Sequence, residues 1–296
     1  MLSPMSRRTF LAAGASAVAL AACGSSGSKT TSSTSAATGS SSGVAELNLA
    51  QFFPDGLLLA GSPQRLPFGL ADKDGALVST NGTLDVTIIG PDGKSLSGSG
   101  PVAGHAEGLP RPYWPIVFTP PAPGIYEIRG TLNGVATAPA LVQARSTGDV
   151  PAAGQPMIPV DTATVADPRG VQLLCTNNPV CPLHDVTLTE ALAERRPVAF
   201  LLATPRFCQV AVCGPVLDVL LAAREAFPQV RMLHAEPYPT EQAASALSPV
   251  TPFVTAYNLT FEPVLYLAKP DGTIAQRLDT IFDAVELKDA LTRLVG

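Results

Sequence analysis

Pro197-Val198-Ala199-Phe200-Leu201-Leu202-Ala203-Thr204-Pro205-Arg206-Phe207-Cys208-Gln209-Val210-Ala211-Val212-Cys213-Gly214-Pro215 joins an apolar run to two cysteines and then to a proline. Val198 to Leu202 is apolar at every position, the pattern of a strand covered on both faces. Pro215 to Phe227 follows with Val216, Val219, Leu220 and Ala223 on one side, the spacing of a helix with a single buried stripe. Val230 to Ala235 reads as a second strand and Thr240 to Leu247 as a short helix. Pro263 to Ala268 then turns at Lys269-Pro270-Asp271-Gly272 into a strand over Thr273 to Leu278, and Ala284 to Leu294 is amphipathic. With a helix over Leu188 to Glu194 in front, the order is βαβ, a helix, a hairpin and a helix. An α/β fold is expected there.

Three local matches extend this reading. Phe200-Leu201-Leu202-Ala203-Thr204 leads into a cysteine, Cys213-Gly214-Pro215 matches part of a Cys-Gly-Pro-Cys motif, and Glu262-Pro263-Val264 precedes the hairpin. Together they resemble the thioredoxin fold of the exported thioredoxin-like group, over about Leu188 to Leu294. The resemblance implies catalytic roles for Cys208, Cys213 and Pro263. The proline would stand where the family keeps a cis-proline beside its active-site disulfide. Pro270-Asp271-Gly272 also resembles the family's hairpin turn.

The motif departs from the family, because four residues separate Cys208 from Cys213 where a thioredoxin has two. On a helix, positions i and i+5 lie about 140° apart, so a bonded pair needs one cysteine off the helix. Pro215 favours the first helical position, which puts Gly214 at the N-cap and Cys213 just outside. A thiolate there gains from the helix dipole and unpaired N–H groups, which favours Cys213 as the reactive thiol and Cys208 as its partner. The family's usual order, with the N-terminal cysteine as nucleophile, favours the reverse. The tryptophan before the first cysteine is absent, and no acidic residue stands out beneath the site.

Cys175 and Cys181 flank Thr-Asn-Asn-Pro-Val and are expected to close a local structural disulfide. With His184 they are conceivable zinc ligands, but their spacing is irregular for the common sites, and no metal or other cofactor is expected. A copper-delivery role would need a histidine near residue 262, where Glu262 stands, and His234 falls within an expected strand. A peroxiredoxin reading fails on the missing threonine, since Val210 and Ala211 occupy that neighbourhood.

The stretch from residue 44 to 147 changes character. Leu57 to Leu59, Arg65 to Leu70, Leu84 to Ile89, Tyr113 to Phe118, Gly124 to Gly130 and Ala140 to Ala144 read as short strands between turn residues. No helical period competes with them, so an all-β sandwich is expected. Pro123-Gly124-Ile125-Tyr126-Glu127-Ile128 resembles the tyrosine corner of immunoglobulin-like domains. Trp114 is expected in the core, and His105, in a loop rich in glycine and proline, is expected in solvent. The domains are thus an immunoglobulin-like β-sandwich over 44–147 and a thioredoxin-like domain over 148–296.

The N-terminus reads as an address. Ser6-Arg7-Arg8-Thr9-Phe10-Leu11 resembles the twin-arginine export consensus, and the apolar run Ala12 to Ala22 is too short to span a bilayer. Leu20-Ala21-Ala22-Cys23 resembles a lipobox, so 1–22 is expected to be a signal peptide and Cys23 a lipidation site. Residues 23–43, nearly all serine, threonine, glycine and alanine, have too little apolar surface to offset ordering and read as a tether. Loss of Arg7 and Arg8 with the signal takes the formal net charge from −5 to −7. An acidic chain is a poor nucleic-acid binder and has no basic patch for anionic lipid. Of five cysteines, four then remain for chemistry in an oxidising compartment, on the outer face of the cell membrane. The expected partners are the lipid bilayer, through Cys23, and exported protein thiols or a membrane redox protein. The expected function is thiol–disulfide exchange on exported proteins; the alternative is a non-catalytic binding lipoprotein whose disulfides are structural.

Overall fold

The computed structural model describes residues 47–296. The expected signal peptide, lipidation site Cys23 and tether lie outside the described residues. Among the described residues no helix is long and apolar enough to cross a membrane.

Nine strands come first: β1 Leu47–Gln51, β2 Leu58–Leu59, β3 Gln64–Asp72, β4 Thr83–Ile89, β5 Gly100–Ala103, β6 Trp114–Phe118, β7 Gly124–Leu132, β8 Val135–Ala138 and β9 Ala140–Arg145. One layer runs β2-β9-β7-β4-β5 and the other β1-β3-β6, with β8 bonded to both β7 and β1. Strand alternation decides what lies between the layers. In β4 Leu84, Val86 and Ile88 are buried while Thr83, Asp85 and Thr87 face water. Trp114, Tyr126, Ile128, Phe68 and Ile116 complete the core. Trp114 is fully buried, as its sequence context predicts, and its indole N–H donates to the Gly82 carbonyl at 2.9 Å. The Tyr126 hydroxyl donates to the Ala122 carbonyl at 2.5 Å, the backward bond of a tyrosine corner. This part of the chain is all-β and sandwich-like.

The second part contains α1 Leu188–Ala193, β10 Val198–Leu202, α2 Cys213–Ala223, β11 Arg231–Ala235, α3 Glu241–Ala246, α4 Pro252–Ala256, β12 Val264–Ala268, β13 Ile274–Asp279 and α5 Ala284–Val295. Its sheet has the order β11-β10-β12-β13, with β10 and β11 parallel and the other pairs antiparallel. The period of two explains why β10 is apolar throughout. Ala199 and Leu201 pack with Val216, Leu217 and Leu220 of α2 and Leu287 and Leu291 of α5. Val198, Phe200 and Leu202 point the other way, onto Leu188 of α1 and Phe253 and Tyr257 near α4. Helices therefore cover both faces. The hairpin between β12 and β13 turns at Gly272, whose φ of 84° suits a residue without a Cβ.

Residues 146–187 carry no helix or strand, yet they are tied down. Gly154 and Met157 bond to backbone at the β12–β13 hairpin, and Ile158 bonds in both directions to the buried Tyr257 hydroxyl. The sandwich and the second sheet belong to one compact unit, Val44–Gly296. Their contact is charged and buried. Arg65 of β3 reaches Glu286 of α5, with Nη2 donating to Oε2 at 2.7 Å and Nη1 to the Asp279 carbonyl at 3.0 Å. The Tyr113 hydroxyl donates to the same carboxylate. Asp283 caps α5 by accepting from the Glu286 N–H at 2.8 Å, and it also accepts from the Ala106 N–H at 3.1 Å. His105, expected in solvent, instead pairs with Asp283 at 2.9 Å and bridges to Tyr113. An acid facing it from a distant helix, invisible in the local sequence, holds it there.

Candidate functional site

All four described cysteines lie beyond the carboxyl ends of the parallel strands β10 and β11, where open α/β sheets place their sites. They form two separate pairs.

Cys208 and Cys213 make the first. The helix begins at Cys213 with Val212 at its N-cap, two residues earlier than Pro215 alone suggests, and Cys208 sits in the preceding loop. No side chain caps α2 through oxygen; the Cys213 N–H donates to the Cys208 sulfur at 3.3 Å. Ala211 makes the tight turn between them with a φ of 57°. That left-handed residue takes up the extra length of the loop. Hydrogen bonding from the Cys213 thiol, joined by the N–H groups of Cys213, Val210 and Val212, brings the Cys208 thiol down to about 6 against the opposing effect of burial. Burial, and then the Cys208 sulfur, push the Cys213 thiol up. Sequence reasoning about the helix terminus favoured Cys213 as the reactive thiol. In the structure Cys213 is fully buried with its thiol pushed up, and the half-buried Cys208 is the one drawn down, which favours the opposite order.

Pro263 is buried beside this loop, follows a cis bond from Glu262, and accepts from the Thr280 N–H at 2.8 Å. The acidic residue that the sequence did not reveal is Glu262 itself. Burial first, and then the Cys208 charge, raise its carboxyl to about 7. A cavity of about 530 Å³ opens at the loop. Phe52, Phe53 and Leu77 of the sandwich line one side, and Val210, Phe261 and Glu262 the other. Val210 at the rim is 53% exposed, so an apolar side chain stands in water beside an acidic thiol.

Cys175 and Cys181 make the second pair, with two histidines. Their sulfurs are 3.6 Å apart and both are free thiols, where the sequence led us to expect a bridge of about 2.05 Å. The Cys181 sulfur lies 3.2 Å from His184 Nε2 and 3.4 Å from His234 Nδ1, and the Cys175 sulfur 3.7 Å from His234 Nδ1. His234 Nε2 stands 3.0 Å from the Ala203 carbonyl at the end of β10. Cys181, His184 and His234 are buried, and Cys175 is half-buried. A hydrogen bond from Cys181, then those from the two histidines, draw Cys175 far below the ordinary thiol range, and Cys181 is driven up in turn. Sequence reasoning passed over His234 because it falls in a strand; only the parallel pairing of β10 with β11 aims its ring at residues 175–184.

No family model matches the chain, and no curated protein does. Among solved structures, a crystal structure of the Lin-41 filamin domain matches 30% of this chain and 83% of its own, at 18% identity and a TM-score of 0.22.

Proposed function

We propose that the chain is an exported, lipid-anchored protein with a thioredoxin-like second domain, which exchanges disulfides with exported proteins through Cys208 and Cys213. The observation that carries this reading is the unequal pair: a half-buried Cys208 in a loop, accepting from the Cys213 N–H at 3.3 Å, against a fully buried Cys213 at a helix start. The order of elements, the two-sided sheet and the proline at 263 support it, as does the resemblance in the sequence. The immunoglobulin-like part supplies one wall of the groove beside the thiol.

Two displacements make up the reaction. The Cys208 thiolate attacks one sulfur of a substrate disulfide, forming a Cys208–substrate mixed disulfide and expelling the other substrate sulfur as thiolate. Cys213 then gives up its proton and attacks the Cys208 sulfur. An intramolecular disulfide forms, and the second substrate sulfur leaves. The substrate gains two electrons and the Cys208/Cys213 pair loses two; run backwards, the same steps oxidise a substrate dithiol. Glu262, its carboxyl raised to about 7 by burial and then by the Cys208 charge, would take the Cys213 proton in the second step. The Phe52, Phe53 and Val210 groove fits an extended apolar segment around the substrate cysteine.

Insulin reduction by the full chain, together with the potential of the Cys208/Cys213 pair, tests the reading. Turnover abolished in Cys208→Ser and a potential above about −300 mV are expected. A pair well below that, with no turnover, would mean that its disulfide is structural and the chain a binding lipoprotein.

A further inference from the structure

We propose that Cys175, Cys181, His184 and His234 are the four ligands of a structural zinc ion. The four ligand atoms lie within 4.8 Å of one another, and among the described residues they form the one such group. Geometry supports the metal more closely than proximity alone. Bonds of about 2.3 Å to sulfur and about 2.05 Å to nitrogen give a tetrahedron with edges of about 3.8 Å between sulfurs, 3.6 Å from sulfur to nitrogen and 3.3 Å between nitrogens. The observed edges are 3.6 Å between sulfurs and 3.2, 3.4 and 3.7 Å from sulfur to nitrogen. These four of the six edges lie within about 0.4 Å of the ideal values, and the other two are no longer than 4.8 Å.

The surroundings are those of a ligand set. With its proton on Nε2, His234 donates to the Ala203 carbonyl and turns the Nδ1 lone pair toward the sulfurs. His184 is buried, and its Nδ1 has no hydrogen-bond partner, so its polar engagement is the Nε2 contact with Cys181. An imidazole whose Nε2 meets only sulfur gains little for its burial, and a metal bond at Nε2 would add to it. A Cys175–Cys181 disulfide would instead leave both histidines aimed at a neutral bridge.

Zinc is the ion this set selects. Two thiolates and two imidazoles in a closed tetrahedron leave no open position for a substrate, which is the structural and not the catalytic form of such a site. With both cysteines as thiolates and both imidazoles neutral, ion and ligands together carry no net charge and are suited to burial. The ion would fasten residues 175–184, which lack helix or strand, to the ends of β10 and β11. Thr176 carries that anchor onward: it bonds to Glu236 through both its N–H and its hydroxyl, and accepts from the Arg206 N–H two residues before Cys208.

The test uses the full chain in detergent, reduced and then supplied with Zn2+ alone. One zinc per chain is expected by elemental mass spectrometry, retained in Cys208→Ser and lost in Cys181→Ser and His234→Ala. Co2+ in its place should show the intense visible bands of tetrahedral thiolate coordination. Should the ligand variants fail to fold, the wild type still decides the matter. A chelator should raise alkylation of Cys175 and Cys181 from none to both, with Cys208 labelled equally before and after. Reduced protein that takes up no Zn2+, or whose Cys175 and Cys181 alkylate equally with and without it, would overturn the proposal. So would a site that fills with Cu(I) while leaving equimolar Zn2+ in solution.

Discussion

Cys208 owes its acidity to a small number of local donors, and this makes it open to measurement. The largest contribution is the hydrogen bond from Cys213, followed among the stabilising effects by backbone N–H groups at the start of α2. A free cysteine titrates near 8.5. Alkylation of Cys208 by iodoacetamide in the reduced chain, followed at its own peptide, should therefore rise with pH around a midpoint of about 6. In Cys213→Ser the midpoint should move upward, because a hydroxyl is a poorer match for the thiolate, while the backbone donors keep it below that of a free cysteine. An unchanged midpoint would place the acidity in the loop backbone alone. In the proposed exchange the Glu262 carboxyl, raised to about 7, would act at a later step. Glu262→Gln should leave the alkylation profile nearly in place and slow resolution of a Cys208 mixed disulfide. Single-turnover release of a bound thiol checks that, and equal release rates would remove Glu262 from proton transfer.

At the scale of elements, much was legible because burial writes itself into periodicity. β10 reads as apolar at every position since α2 and α5 cover one face and α1 and α4 the other; β4 alternates because one face of its layer meets water. The strands that escaped notice, β1, β5 and β8, are short or half-buried and hold their places through pairing rather than through an apolar pattern. The same cause hid half of each site. His234, Glu262 and His105 each have an unremarkable local sequence, and their partners arrive from elsewhere in the chain. The α5 terminus shows what such a partner does. Asp283 is the helix cap and also the acid opposite His105, and the bond to Asp283 raises the histidine above its ordinary value against partial burial. A histidine raised on folding stabilises fully below about 6.5, its unfolded value, and loses that contribution as pH rises through the folded value. Chemical denaturation should accordingly show the native chain giving up stability between neutral and mildly alkaline pH, by less than about 1 kcal/mol for a pair partly open to solvent. His105→Ala should show no such slope.

Across the whole molecule, the sandwich and the second sheet share a buried charge cluster, and that cluster determines whether they unfold together. Arg65 is enclosed; Glu286 and the carbonyls of Asp279 and Ile281 answer its donors, and the guanidinium lies over the ring of Tyr113, whose hydroxyl donates to Glu286. Burial alone would make the guanidinium easier to deprotonate, yet the Glu286 charge and hydrogen bonds more than reverse this. Such a pair gains little over apolar residues of the same shape, but breaking it by removing one partner costs about 3–5 kcal/mol, because the other charge stays buried alone. Arg65→Ala should therefore be strongly destabilising. It should also split one thermal transition into two, as the helix carrying Glu286 loses its hold on β3. Arg65→Met with Glu286→Leu should recover most of the loss and restore a single transition, since no charge is then stranded and Tyr113 keeps its donation from the Asp283 N–H. Calorimetry of the three proteins separates the cases. If the single variant melts in one step near the wild-type temperature, the two layers are joined by their apolar contacts, and the sandwich is a wall of the Cys208 groove that owes nothing to this ion pair.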